Sequence, residues 1–232
     1  MAQGRGAAAV IVPSRFNARV FRASGVRVPL AVVPEGVDPA VYPLVERPAR
    51  RLVTTLVVGV LAERKNYRLA VEAWQRAFGG EPDARLVLKA RFQLDRFTPD
   101  DPRITVVDEE EPTRGILHWY RRADVLLALG NEGFGLPVVE AMATGLPVVA
   151  YDRPWARDVV RHGETGLLVP TGDVEALAGA VRSLLDDEGR RRALGEAAAA
   201  EVRARFGLSS LVPSLLAALD AAVDGRRTLV AS

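Results

Sequence analysis

Residues 124–152, DVLLALGNEGFGLPVVEAMATGLPVVAYD, contain the pattern that decides the fold. A leucine-rich apolar run is followed by a glycine-rich loop, a short helical pattern that begins at Pro137, and a second apolar run that ends at Asp152. Short apolar runs rich in Val and Leu are typical of buried strands, and their alternation with helical patterns is typical of parallel sheets. The stretch therefore predicts two parallel strands joined by a helix.

The same alternation continues on both sides of this stretch. It predicts a parallel sheet with helices on both faces, a Rossmann-like doubly wound α/β domain, over residues 46–205. Residues 1–45 are too few for a domain, and residues 206–232 are predicted to form a C-terminal helix and tail. Further strands are predicted at 7–14, 51–61, 84–90, 103–109 and 165–170, and a short strand followed by a turn is predicted at 29–38. Helices are predicted at 14–26, with Ser14 as the N-cap, and at 65–80, 113–123, 173–187, 188–206 and 211–223.

The composition excludes several classes of chemistry. The chain has no cysteine and only two histidines, which excludes disulfides, thiolate chemistry and a histidine-rich metal cluster. The net charge is only +2 and the basic residues are interspersed with acids, so nucleic acid is not an expected partner. No apolar run reaches about 18 residues and no secretory signal pattern begins the chain. We therefore expect a cytoplasmic protein without a transmembrane segment.

The loop and helix after the first strand offer groups that suit a phosphorylated sugar. Glu132 follows a predicted strand, so it is expected at the carboxyl edge of the sheet, where ligands bind in such folds. Glycines beside it allow close approach of the backbone, and Pro137 favours a helix start, whose free N–H groups attract anions. Glu140 lies about one turn further along this helix. Two carboxylates, which can accept hydrogen bonds from hydroxyl groups, thus flank backbone N–H donors that can bind phosphate.

These residues carry a resemblance to a known family. The spacing of Glu132 and Glu140 matches the E-x7-E motif of the retaining, nucleotide-sugar-dependent glycosyltransferases of family 4, which have the two-domain GT-B architecture. The resemblance implies that the chain holds the C-terminal, donor-binding half of that architecture with its interdomain linker. It extends in order through VPEGVD (33–38), VGVLAERKN (58–66), YRRADVLLALGNEGFGLP (120–137) and GETGLLVPTGD (163–173).

The resemblance also implies roles for individual residues. Glu132 is expected to contact the donor sugar, and Glu140 is expected to hold the ribose hydroxyls. Arg64 and Lys65 match the basic pair of the family, and would neutralise the diphosphate as it leaves, without a metal ion or any cofactor besides the donor substrate. The backbone beside the sugar and its phosphate is expected from Gly133, Phe134, Gly135 and Leu136.

Two further residues are expected near the nucleotide. Lys89 is predicted to end a strand at the same sheet edge, where it is either a phosphate or base contact or a surface lysine. Val107 follows in the next predicted strand and is expected to border the base. The nucleotide sugar is thus the expected ligand of this edge.

The resemblance implies that residues 1–45 are a remnant of the N-terminal domain, its last strand and helix, together with the linker. The rest of this acceptor-binding domain is then missing from this chain and is supplied in cis or in trans. The expected activity is transfer of a hexose from a nucleotide-diphosphate sugar to an unknown acceptor. Three interpretations stay open: a fragment of a glycosyltransferase, the donor subunit of a split enzyme, and a non-catalytic nucleotide-sugar-binding module. An epimerase of the same architecture is a further alternative. A dinucleotide oxidoreductase is disfavoured because no G-x-G-x-x-G follows the first strand of the α/β domain.

Overall fold

The computed structural model describes residues 7–48, 51–93, 97–108 and 115–223. The predicted N-terminal start and the C-terminal tail lie outside these ranges. The elements in chain order are β1 (Val10–Val12), α1 (Arg15–Ala23), β2 (Leu30–Val32), β3 (Val53–Leu61), α2 (Tyr67–Phe78), β4 (Ala84–Gln93), β5 (Ile104–Asp108), α3 (Ile116–Arg122), β6 (Val125–Ala128), α4 (Leu136–Ala143), β7 (Val148–Tyr151), α5 (Pro154–Val159), β8 (Leu167–Val169), α6 (Val174–Asp186), α7 (Glu188–Arg205) and α8 (Leu208–Val223).

The centre of the fold is a six-stranded parallel sheet in the order β5-β4-β3-β6-β7-β8. Alternate residues of its strands enter two separate cores: Val125 and Leu127 of β6 pack on the side of α2 and α6, whereas Leu126 packs on the side of α4 and α7. The Rossmann-like doubly wound α/β fold predicted from the sequence is thereby confirmed. The strand order reverses between β3 and β6, and such a reversal opens a crevice at the carboxyl ends of these strands.

A second, smaller unit precedes the sheet. Strands β1 and β2 pair in parallel, with Val10 opposite Leu30, and α1 connects them. Ser14 caps α1 by accepting a hydrogen bond from the Asn17 N–H, as the sequence pattern predicts. Among the described residues this two-stranded sheet is separate from the six-stranded one, and α1 packs against α5.

Three local predictions differ from the structure. Strand β4 continues to Gln93, so Lys89 lies inside the strand, buried, and does not end it. Helix α5 was not predicted, because its six residues are too few to establish a helical period; Pro154 starts it. Helix α8 begins at Leu208, ahead of the predicted start at residue 211. No helix in the described parts of the chain is long and apolar enough to cross a membrane.

The segment that joins the small unit to β3 is held in place by one arginine. The half-buried Arg47 guanidinium donates hydrogen bonds to the carbonyl oxygens of Thr144, Tyr120 and Ala123, and also to the Thr144 hydroxyl. These carbonyls lie at the ends of α3 and α4, where backbone acceptors have no partner inside the helix. Arg47 therefore fixes the connecting segment against the carboxyl ends of two helices.

We predict that Arg47→Lys lowers the free energy of unfolding by about 2 kcal/mol, because a lysine cannot reach several carbonyls that a guanidinium fork satisfies at once. Urea denaturation measures this change. Arg51→Lys is the matched control, since Arg51 is exposed and pairs with Asp83 at the surface. Equal stability of the Arg47→Lys variant and the control would contradict the assigned role.

Candidate functional site

An ion pair occupies the crevice between β3 and β6. Lys65 lies in a short 3-10 helix after β3, and its ammonium group contacts the carboxylate of Glu132, which follows β6. Only 13% of the Lys65 side chain and 20% of the Glu132 side chain are exposed. The sequence predicts Glu132, Arg64 and Lys65 as catalytic, and two of these three, Lys65 and Glu132, are thus in contact and largely shielded from solvent.

The shape of the loop before α4 depends on two glycines. A Cβ atom at Gly130 would lie 2.6 Å from Glu132 Oε1 and 2.8 Å from Lys65 Cδ, so only glycine leaves room for the ion pair. Gly135 has φ of 94°, a conformation that favours glycine, and its Cα faces the Trp155 ring. The Trp155 indole N–H donates to the Gly130 carbonyl at 3.2 Å. Trp155 therefore contacts the loop at both of its ends, at Gly130 through a hydrogen bond and at Gly135 through its ring.

Two side chains of this loop, those of Phe134 and Asn131, are engaged by residues outside the loop. Phe134 is buried, with its ring 5.6 Å from that of Phe206. Pro137 lies in the first turn of α4, as predicted. The Asn131 side-chain oxygen accepts a hydrogen bond from Arg153 at 2.6 Å. The backbone from Gly133 to Leu136 leads from Glu132 into the start of α4, and its expected contacts with the sugar and phosphate stay a prediction.

Helix α1 reaches this loop from the small N-terminal unit. The Ser14 hydroxyl donates to the Gly133 carbonyl at 2.9 Å, and the Asn17 amide lies against Gly133. On the other side, the Phe16 N–H donates to the Asp158 carboxylate of α5 at 2.9 Å. The N-terminal end of α1 is thereby attached next to the crevice.

The second glutamate of the motif lies on α4 with both oxygens engaged. Tyr42 donates to Glu140 Oε1 at 3.0 Å, and Tyr120 donates to Glu140 Oε2 at 2.8 Å. Burial raises the pKa of Glu140 above its ordinary value, and the two hydrogen bonds act in the opposite direction by stabilising the charged form. Burial and the nearby carboxylate also raise the pKa values of Tyr42 and Tyr120, so both phenols remain donors.

The remaining predicted residues are less closely grouped. Arg64 is exposed beside Lys65, and its carbonyl accepts from the Asn131 N–H at 3.1 Å. Lys89 is buried within β4, opposite Val107 of β5, so the prediction that it ends the strand is wrong. Val107 itself is half-buried. Lys89 and Val107 thus lie on neighbouring strands and Arg64 lies in the 3-10 helix after β3, while the roles of all three stay predictions.

Several residues of this site were not assigned roles from the sequence. Tyr42 is 98 residues from Glu140 in the chain, and no local pattern indicates that contact. Trp155 and Asp158 stand after the motif, where only their position suggests an approach to the crevice. Ser14 was predicted as a helix cap, but its second bond to Gly133 connects separate units. Within the described ranges no group of three or more His, Cys, Asp or Glu side chains is arranged to hold a metal ion.

The fold is the Rossmann-like α/β fold found in GT-B glycosyltransferases. Residues 105–201 match the family described as glycosyl transferases group 1. The resemblance predicted from the glutamate motif is confirmed.

Relatives and solved structures agree with this assignment. The phosphatidyl-myo-inositol mannosyltransferase of Mycobacterium leprae is 43% identical over 115 residues, which are 48% of this chain and 30% of that protein. Sucrose-phosphate synthase from Thermosynechococcus elongatus has a TM-score of 0.75 and 27% identity, covering 92% of this chain and 59% of the synthase chain. Anabaena Alr3699/HepE in complex with UDP-glucose shares the fold, with a TM-score of 0.80 and 20% identity over 94% of this chain and 65% of that one. The chain thus spans less than a third of the mannosyltransferase and less than two thirds of the synthase.

We predict that Glu140→Gln changes how stability depends on pH. Because the pKa of Glu140 is raised above 4.5, the folded protein binds this proton more tightly than the unfolded chain. Wild-type stability therefore falls as pH rises from the ordinary pKa through the raised one. The variant lacks this titration. The difference in free energy of unfolding, variant minus wild type, should therefore increase as pH rises over that interval, as measured by urea denaturation from about pH 4.5 to about pH 8.

Glu164→Gln is the control for this titration, since the Glu164 side chain is 68% exposed. Its difference from wild type should stay nearly constant over the same interval. A pH-independent difference for Glu140→Gln would show that burial does not raise this pKa.

Proposed function

We propose that this chain forms the nucleotide-sugar donor site of a retaining hexosyltransferase. The observation that carries the proposal is the shielded ion pair of Lys65 and Glu132 beside the glycine loop. A cation that suits a diphosphate and a carboxylate that suits sugar hydroxyls stand together at the switch point of the sheet. The match of residues 105–201 to glycosyl transferases group 1 supports the same function.

In this proposal a bound diphosphate competes with Glu132 for the Lys65 ammonium group. Once Lys65 turns to the phosphate, the Glu132 carboxylate is free to accept hydrogen bonds from the donor sugar. The bond between the anomeric carbon and the phosphate oxygen then breaks, and its electron pair stays on the phosphate. Lys65 and the exposed Arg64 stabilise this charge. The acceptor hydroxyl oxygen bonds the anomeric carbon on the same face, and its proton passes to the departing phosphate.

The backbone beside the crevice supplies the rest of the donor contacts. Gly133, Phe134, Gly135 and Leu136 approach the sugar and phosphate, because no side chain of the loop intervenes and the start of α4 attracts anions. The Glu140 carboxylate accepts hydrogen bonds from the ribose hydroxyls. The base lies toward β4 and β5, the strands of Lys89 and Val107.

The acceptor site is supplied by a further domain, in cis or in trans. Apolar side chains on α1 and α8 support this part of the proposal: Val20 and Phe21 are 42% and 37% exposed, and Leu216 is 55% exposed. Such side chains suit a face that another domain covers. Similar proteins differ in their sugars, since one is a mannosyltransferase and another is in complex with UDP-glucose, so both GDP- and UDP-linked donors need to be tested.

We predict that calorimetric titration with GDP-, UDP- and ADP-sugars finds one base that binds in preference to the others. Lys65→Ala and Glu140→Ala should each weaken that binding roughly tenfold or more, since each removes a charged hydrogen-bonding group. Glu164→Ala is the control and should leave the affinity unchanged, because Glu164 is exposed. Absence of binding by the wild type to all three donors, or wild-type affinity in both site variants, would refute the proposal.

We also predict that donor binding is independent of divalent metal. The positive charge for the diphosphate comes from Lys65 and Arg64 in this proposal, so the affinity should be the same with excess EDTA and with magnesium or manganese. The same titration, run after exhaustive chelation, measures it. A loss of affinity that returns on adding a metal ion would show that the two side chains do not suffice.

A further inference from the structure

Glu140 is held by two tyrosines that come from distant parts of the chain. Tyr42 belongs to the segment that connects the small N-terminal unit to β3, and Tyr120 belongs to α3. Each hydroxyl bonds a different oxygen of the same carboxylate, at 3.0 Å and 2.8 Å. Both rings are buried, with exposures of 5% and 0%, and their centroids lie 6.3 Å apart. The carboxylate plane is therefore fixed from two sides by side chains that cannot move freely.

This arrangement leaves the carboxylate able to bind more than the two phenols. An ionised carboxylate offers about four lone-pair sites, and the tyrosines occupy one on each oxygen. One site on each oxygen remains, so the carboxylate can accept a hydrogen bond from each of two neighbouring hydroxyl groups. Hydrogen bonds from the phenols also offset part of the cost of keeping a charged group in a buried place.

We propose that Tyr42 and Tyr120 are positioning residues that hold Glu140 for the two ribose hydroxyls of the donor nucleotide. This inference rests on the proposed donor-binding function. Neither tyrosine needs to touch the nucleotide; each acts through the orientation and charge of Glu140.

The position of Tyr42 adds a second consequence. The connecting segment is attached to the main domain by the Val37 N–H, which donates to the Phe206 carbonyl at 3.0 Å, and by Arg47. Tyr42 lies between these attachments, so its hydroxyl bonds the Glu140 carboxylate only when the segment is in place. Ribose binding and seating of the segment are therefore coupled, and each stabilises the other.

The test compares a ribonucleoside diphosphate with its 2′,3′-dideoxy analogue by calorimetry. The probe is UDP, GDP or ADP, whichever binds the wild type most tightly, and the proteins are wild type, Tyr42→Phe, Tyr120→Phe and Tyr151→Phe. Tyr151 is the matched control, since it is equally buried but lies in the core on the opposite face of the sheet. All four proteins are first compared by thermal unfolding and near-ultraviolet circular dichroism.

Wild type should prefer the ribose form. Tyr42→Phe should weaken the ribose form roughly fivefold to tenfold and leave the dideoxy form unchanged, because a hydrogen bond to a charged group is lost. Tyr120→Phe should act in the same direction, and Tyr151→Phe should preserve the wild-type ratio. Hydrogen exchange of residues 37–47 should be slowed by the ribose form in wild type and less so in Tyr42→Phe.

The outcomes separate this inference from the function on which it rests. If wild type binds no nucleoside diphosphate, the donor-binding function fails and the inference fails with it. If wild type prefers ribose but Tyr42→Phe keeps the same ratio, only the positioning role is overturned. A Tyr42→Phe variant that unfolds at lower temperature with an unchanged ratio would show that Tyr42 serves stability alone. Tyr42 decides the matter if the fully buried Tyr120 does not tolerate substitution.

Discussion

The parallel pairing of β3 with β6 is the constraint on which the rest of this molecule depends. The chain adds β4 and β5 on one side of β3 and then returns to add β6, β7 and β8 on the other. The helices after β3 and β6 consequently pack on opposite faces of the sheet, and the carboxyl ends of the two strands face a common crevice. Lys65 follows one strand and Glu132 follows the other. Their contact is a direct result of strand order.

The contact between Lys65 and Glu132 is an ion pair that is largely shielded from water. A lysine or glutamate that is mostly withdrawn from water is costly when it stands alone, and the pair lowers that cost for both partners. The same pairing keeps a cation and an anion together in the crevice. In the proposed exchange of Glu132 for a phosphate, the Lys65 ammonium group stays paired with an anion, and the released carboxylate is compensated by hydrogen bonds from the sugar.

The sequence predicted the features that depend on local pattern. The alternation of apolar runs with helices gave the parallel sheet, and the E-x7-E spacing placed Glu132 and Glu140 at its edge. The sequence did not predict α5, whose six residues carry no helical period, or the burial of Lys89, since a strand that continues past a lysine has the same local composition as one that ends there. It also could not predict that Tyr42 bonds Glu140, because this contact arises from the path of the whole chain.

The packing of Trp155 under Gly135 has a consequence for how the family can diverge. A Cβ atom at residue 135 would lie 2.5 Å from Cζ3 of the indole, and the backbone there has φ of 94°. A larger residue at 135 is therefore incompatible with the tryptophan, whereas loss of the tryptophan would leave a void beneath the loop. Substitutions at positions 135 and 155 are therefore energetically coupled. The shape of the loop is stored jointly in a residue of the motif and in one that follows it by a full strand.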